Sequence, residues 1–330
     1  MTQDAPGAAL ATEDFMIDSD SPGIQLYVRN KRPQSLARFT PERTLLFVHG
    51  ATYPAETAFD LRLGGVSWMD YVAMRGYDVF LVDVRGYGRS TRPPEMDQPA
   101  EANPPVATTE TAVADVAAAV RFVLSRRGIG KLNLLGWSWG TTLMGAFTAR
   151  NNHLVNKLVL NTPQWLRTTP SASDQGGPLG AYRVISVESA KERWLRGVPE
   201  DKKDGLIPAG WFDAWADATF ATDPWDGNQA PRQLRAPNGT VQDSRAFWAA
   251  GRPFYNPGDI TVPVLITHAE WDQDLPLEMA RTYFGLLTGA PYRRWVEIGE
   301  GTHTLLMEKN RMQLFRAVQA FLDEDFVAEA

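Results

Sequence analysis

The chain has no cysteine in 330 residues, which excludes disulfides, thiolate metal sites and a cysteine nucleophile. It has no basic run, and its formal net charge is −6, which argues against nucleic acid or an anionic membrane surface as a partner. No apolar segment approaches the roughly 20 residues that span a bilayer. Met1–Asp14 has neither a basic start nor an apolar stretch, so no secretory leader is read there. The expectation is a cytoplasmic monomer or homodimer without membrane insertion. No metal-ligand spacing and no phosphate-cradling loop is present, so no metal and no cofactor is implied. Histidine is scarce, at four residues, and any role for one is therefore assigned by elimination.

What is present is a rhythm of short apolar runs and helical patterns. Phe15–Ser19 and Ile24–Arg29 flank a Ser-Pro-Gly turn and predict a hairpin. Thr44–Val48, Val79–Asp83, Leu132–Leu135, Lys157–Asn161, Val264–His268 and Arg294–Ile298 predict buried strands. Between them lie helices at Ser67–Arg75, Glu110–Arg127 and Leu305–Leu322. Continuous apolar strands separated by helices imply a parallel sheet covered on both faces. Arg92–Thr109 carries five prolines and predicts a surface loop.

The rhythm fails between Pro163 and Pro263. Six of the eleven tryptophans fall there: Trp165, Trp194, Trp211, Trp215, Trp225 and Trp248. The expected organisation is a core of residues 1–163 and 262–330, with 164–261 as a mainly helical cap. Most of these aromatics are expected to form the cap's own core, and a minority to line a cavity over the sheet.

Gly136-Trp-Ser-Trp-Gly140 directly follows the run Leu132–Leu135. A serine between a strand and a helix stands on a strained turn that lifts its hydroxyl above the sheet, and glycines two before and two after it let strand and helix pack closely. Ser138 then needs a general base and a carboxylate to orient that base. His49 and His268 end strands and His153 reads as a surface residue. That leaves His303, which follows the last strand where sites form in parallel sheets. For the acid, Asp272 and Asp274 both follow strand Val264–His268. Asp272 is preferred as nearer the strand end, with Asp274 as a helix cap and Pro276 in the first helical turn.

Together, Phe47-Val-His-Gly50, Asp83–Ser90, Gly136–Gly140 and Trp271-Asp272…Gly301-Thr-His303 resemble the α/β-hydrolase fold superfamily. The resemblance is to its lid-bearing serine hydrolases: esterases, proline iminopeptidases, lactonases, cofactor-free haloperoxidases and C–C hydrolases. It implies a mostly parallel sheet with helices on both faces and a helical cap insertion. It also implies a triad of Ser138, Asp272 and His303, and an oxyanion hole from the backbone N–H groups of Ala51 and Trp139. Asp83 and Arg85 would buttress the site. His-Gly-Ala-Thr-Tyr-Pro departs from the glycine-rich motif of proline iminopeptidases and counts against that activity. Trp137 is expected beneath the serine turn, and Trp139, Trp165 and Trp215 are the candidate substrate-binding side chains.

The expected reaction is cleavage of a carboxylic ester of a small-to-medium apolar or aromatic acid through an acyl-enzyme. The alternatives are an amide, a lactone or a C–C bond with the same triad, or a ligand receptor on this fold. The partner is a small-molecule ester or amide.

Overall fold

A computed structural model describes residues 9–224 and 232–326. Trp225 lies outside the described residues. The strands are β1 (Leu10–Asp18), β2 (Gln25–Pro33), β3 (Thr44–Val48), β4 (Asp78–Val82), β5 (Leu132–Trp137), β6 (Val155–Asn161), β7 (Tyr182–Ser186), β8 (Gln233–Pro237), β9 (Val264–Ala269) and β10 (Arg293–Ile298). The helices are α1 (Ala55–Phe59), α2 (Trp68–Ala73), α3 (Thr109–Arg127), α4 (Trp139–Arg150), α5 (Val187–Trp194), α6 (Trp211–Phe220), α7 (Gly239–Asp243), α8 (Leu277–Leu286) and α9 (Arg311–Asp323).

Eight strands form one sheet in the order β1-β2-β4-β3-β5-β6-β9-β10. The β1–β2 hairpin is antiparallel and joins β4 antiparallel; all strand pairs from β4 to β10 are parallel. Every residue of β3 is buried. Leu45 and Phe47 face one apolar layer with α2 and α9, while Leu46 and Val48 face the other with α3 and α4. This alternation explains why the strands read as unbroken apolar runs: both faces are covered.

From β3 the chain adds β4 on one side and then returns to add β5 on the other. That reversal opens a crevice beyond the carboxyl ends of β3 and β5, where ligands bind in open parallel sheets. Three further loops converge there, after β6, β9 and β10.

Local chemistry fixes the helix ends. Ser67 and Asp70 form a reciprocal capping box on α2, and Thr108 caps α3. Gly128 closes α3 at φ 63°, a left-handed position where glycine carries no Cβ penalty.

Two expectations need correction. The final helix starts at Arg311, not Leu305; Leu305–Met307 is a separate 3₁₀ turn. The proline-rich segment is not a bare surface loop, because Met96 is fully buried and packs with Ala181 and Tyr182. Between β6 and β9, β7 and β8 form a two-stranded antiparallel ribbon beside α5, α6 and α7, an element not anticipated in the expected cap. Among the described residues, no helix is long and apolar enough to cross a membrane.

Candidate active site

Ser138 sits between β5 and α4 at φ 58°, ψ −123°. A residue with a side chain is strained there, and the turn holds only because its surroundings are dense. A Cβ on Gly136 would stand 2.2 Å from the Gly140 carbonyl oxygen, and one on Gly140 would stand 2.6 Å from the carbonyl oxygens of His49 and Val48. Both glycines of the motif are therefore required by contact. Gly50 also approaches the serine, its absent Cβ only 3.0 Å from Ser138 Cβ.

The structure brings together the three residues singled out for chemistry. Ser138 Oγ lies 2.9 Å from His303 Nε2, and His303 Nδ1 lies 2.8 Å from Asp272 Oδ2. A carboxylate oxygen only accepts, so Nδ1 carries the imidazole hydrogen and Nε2 is free to accept from the serine hydroxyl. Asp272 is held in turn: its Oδ1 accepts the backbone N–H groups of Asp274 and Leu275, each at 3.0 Å. Trp137 packs against the His303 ring, and its Nε1 donates to the His303 carbonyl at 3.0 Å, tying the serine turn to the histidine loop.

Asp274 has another task, and it does not cap α8, whose N-cap is Pro276. Its oxygens accept from Arg193 at 2.5 Å and Arg196 at 2.8 Å, so it anchors α5 and the turn after it. Burial raises its carboxyl, but the guanidinium charges outweigh that and hold it far below the usual carboxylate range.

Among the described residues, neither the Ala51 N–H nor the Trp139 N–H is donated to a protein acceptor. Trp139 is the first residue of α4, so its N–H lies at the positive end of a 12-residue helix. His49 supports the other donor. Its Nδ1–H donates to the Gly50 carbonyl at 2.7 Å, and its Nε2 accepts the Val84 N–H at 3.2 Å. Full burial pushes its pKa down to about 4, which keeps it neutral. Asp83 accepts the N–H groups of Ala55 and Arg89, and Arg85 pairs with Asp115. Of the remaining histidines, His268 lies 2.8 Å from the Leu275 carbonyl and His153 is exposed.

The three tryptophans expected to bind substrate do not line the cavities at Ser138, and this expectation is corrected. Trp139 is buried, with its indole N–H on Thr109 Oγ1 at 3.0 Å. Trp165 packs edge-on against Tyr255 and Tyr283. Trp215 packs against Tyr53, Trp194, Phe212 and Phe220. Large flat side chains gain most by being enclosed on both sides, and these are. Trp215→Ala will therefore cost about 3–5 kcal/mol of stability and leave the ranking of substrates unchanged. Urea unfolding and a substrate series check this; a changed ranking at full stability would return Trp215 to the pocket.

Two cavities meet at Ser138, and Ala51, Ser138, Arg193 and His303 line both. The first, about 290 Å³, is completed chiefly by Tyr53, Trp137 and Thr304. The second, about 340 Å³, is completed chiefly by Gln164, Arg167, Ser171, Ser173 and Thr240. Sequence reasoning missed Thr52, Tyr53, Arg167 and Arg193. Thr52 and Tyr53 directly follow Ala51 and were reachable by contiguity. The arginines were not, because sequence alone does not show which cation faces a cavity.

Glu308 is fully buried behind the histidine loop, accepting the Thr302 N–H at 3.0 Å and lying against the hydroxyls of Thr302 and Thr304. Burial pushes its pKa from 4.5 up to about 7. The folded chain thus holds this proton up to about pH 7, while the unfolded chain releases it near 4.5. Glu308's contribution to stability is full below that lower value and is lost as pH rises through 7. Asp83, raised by burial to about 7, acts with the same sign. Glu308→Gln will flatten part of the fall in unfolding free energy between roughly pH 5 and 7. Urea titrations at stepped pH measure it, and an unaltered slope would clear Glu308.

A family model described as alpha/beta hydrolase fold matches residues 43–310. The chain belongs to the α/β-hydrolase fold family. No curated protein matches it in sequence. Among solved structures it is similar to a serine hydrolase involved in carbazole degradation, with TM-score 0.62 and 16% identity over 94% of this chain and 99% of that one. It is also similar to a serine hydrolase from the polyaromatic-hydrocarbon-degrading bacterium Cycloclasticus zankles, with TM-score 0.61 and 15% identity over 95% and 98%. A thermophilic esterase from Thermogutta terrifontis gives TM-score 0.56 and 17% identity over 94% and 98%. At these identities the likeness concerns the fold.

Proposed function

We propose that the protein is a serine hydrolase that cleaves a carboxylic ester of a small-to-medium acid through an acyl-enzyme. The observation that carries this reading is the unbroken hydrogen-bond chain from Ser138 Oγ through His303 to Asp272, on a strained turn facing two uncommitted backbone donors. Ser138 Oγ attacks the ester carbonyl carbon and passes its proton to His303 Nε2. The carbonyl oxygen becomes an oxyanion and accepts from the N–H groups of Ala51 and Trp139. Each such donor is typically worth about 3–4 kcal/mol in the transition state. The ester C–O bond then breaks, and the leaving alkoxide takes the proton from His303. Water repeats the sequence: it gives its proton to His303, attacks the acyl carbon, and Ser138 Oγ leaves reprotonated.

The segment between β6 and β9 acts as the cap, contributing Gln164, Arg167 and Arg193 to the cavity walls. Tyr53 and Trp137 give the first cavity an aromatic character suited to the apolar part of the substrate. The test is labelling by a fluorophosphonate probe followed by a 4-nitrophenyl ester chain-length series. The expected result is a single adduct on Ser138 and an optimum at short to medium acyl length. An adduct elsewhere, or none, overturns the reading.

A further inference from the structure

The second cavity has an unusual charge balance. Arg167 lines it half-buried, and its Nε–H is used on the Thr169 carbonyl at 2.7 Å. Its terminal NH₂ groups have no protein acceptor among the described residues, and no carboxylate lies within ion-pair distance of it. The one carboxylate on the cavity wall, Asp274, is already held by Arg193 and Arg196. Arg183 stands behind Ala51 with only neutral oxygens around it: the carbonyls of Ala51, Ala236 and Pro237 and the Thr52 hydroxyl. Four guanidinium groups thus stand at or behind this wall against Asp274, with Asp272 committed to His303. Burial lowers the pKa of both Arg167 and Arg183; for Arg167 the charge of Asp274, itself paired with Arg193 and Arg196, offsets this only in part, and no carboxylate offsets it for Arg183. The buried Thr240 hydroxyl, also on the wall, makes no well-formed hydrogen bond.

An arginine fork with free terminal donors fits a carboxylate in bidentate geometry. The hydroxyls of Ser171, Ser173 and Thr240 and the Gln164 amide add neutral polar groups around it.

We infer that the substrate carries a free carboxylate, bound by Arg167 in the cavity beside Ser138, while its ester carbonyl lies at the serine. This rests on the serine hydrolase reading above and narrows its substrate class to esters that also carry a free carboxylate.

Two matched substrate pairs test it by pH-stat. Monoethyl glutarate against ethyl 5-methylhexanoate places the carboxylate on the acyl side. 4-Carboxyphenyl butyrate against 4-isopropylphenyl butyrate places it on the alcohol side. One of the two pairs will show kcat/KM at least tenfold higher for the charged member. Arg167→Gln will lower that charged-to-neutral ratio by about 10- to 100-fold, the range for a charge-assisted pair. Calorimetry on Ser138→Ala will show binding of the preferred acid that the double variant with Arg167→Gln loses. Hydrolysis through Ser138 with no preference in either pair overturns the inference. An effect of free glutarate on turnover does not rescue it when neither pair shows a preference. No hydrolysis of any ester and no labelling of Ser138 overturns the enzymatic reading instead, and calorimetry then decides the anion site alone. The preference of the unaltered protein is itself a test, so a variant that fails to fold does not shelter the idea.

Discussion

Ser138→Ala will lower kcat by roughly 10⁴- to 10⁶-fold and leave the fold intact, and His303→Ala will cost about as much. The reason lies in the hydrogen-bond chain: the 2.9 Å contact between Oγ and Nε2 makes the pair one proton-transfer device. Removing either end removes the whole device. The double variant should therefore be little worse than either single one, with residual turnover left to the backbone donors. Alanine at 138 keeps the Cβ and removes only the hydroxyl, so the turn should hold and the variant should be about as stable as the parent. Steady-state kinetics with urea unfolding checks both statements. Near-parental turnover in Ser138→Ala would end the acyl-enzyme proposal.

Asp272→Asn will cost about 10⁴-fold in kcat, close to what loss of the orienting carboxylate costs in triads generally. The geometry gives a specific reason. Asp272 Oδ1 accepts two backbone N–H groups, so an asparagine must keep its oxygen there. Its NH₂ then faces His303 Nδ1 and donates to it. The imidazole hydrogen is forced onto Nε2, and Ser138 loses its base. Asp274→Asn leaves that tautomer alone and loosens Arg193 and Arg196 instead. It should raise KM and lower stability while costing much less in kcat. The opposite ranking of the two variants would move the acid to Asp274.

Much of the architecture was legible in the chain because a covered parallel sheet leaves a strong imprint. A strand such as β3, buried at every residue, reads as nothing but apolar letters. The glycines at 136 and 140 were legible because contact leaves no other residue possible. Ser138 and His303 followed from the scarcity of histidine and the position of each after a strand. The β7–β8 ribbon was not legible: β7 runs from buried to half-exposed without alternation. The tryptophans misled for a related reason. An indole that packs a core and one that lines a cavity have the same sequence signal, and only the neighbours on its second face distinguish them. Arg167 was silent because a cation in sequence is ordinarily solvated or paired, and what marks this one is a missing partner in space.

The Arg183 contacts have a consequence for anyone exchanging parts between relatives of this protein. Arg183 reaches from β7 to donate to Ala51 and Thr52, and Arg193 reaches Thr52 from α5. The stretch between β6 and β9 is therefore not a detachable module resting on a finished catalyst. Two of its side chains serve as struts for the turn proposed to receive the oxyanion. A chimera that imports a foreign insertion onto this sheet would keep Ser138, His303 and Asp272 in register yet leave that turn held from the core side alone, by the Tyr87 hydroxyl on the Ala51 carbonyl. The graft would have to bring its own donor to the Ala51 carbonyl, and position 52 would have to be matched to it.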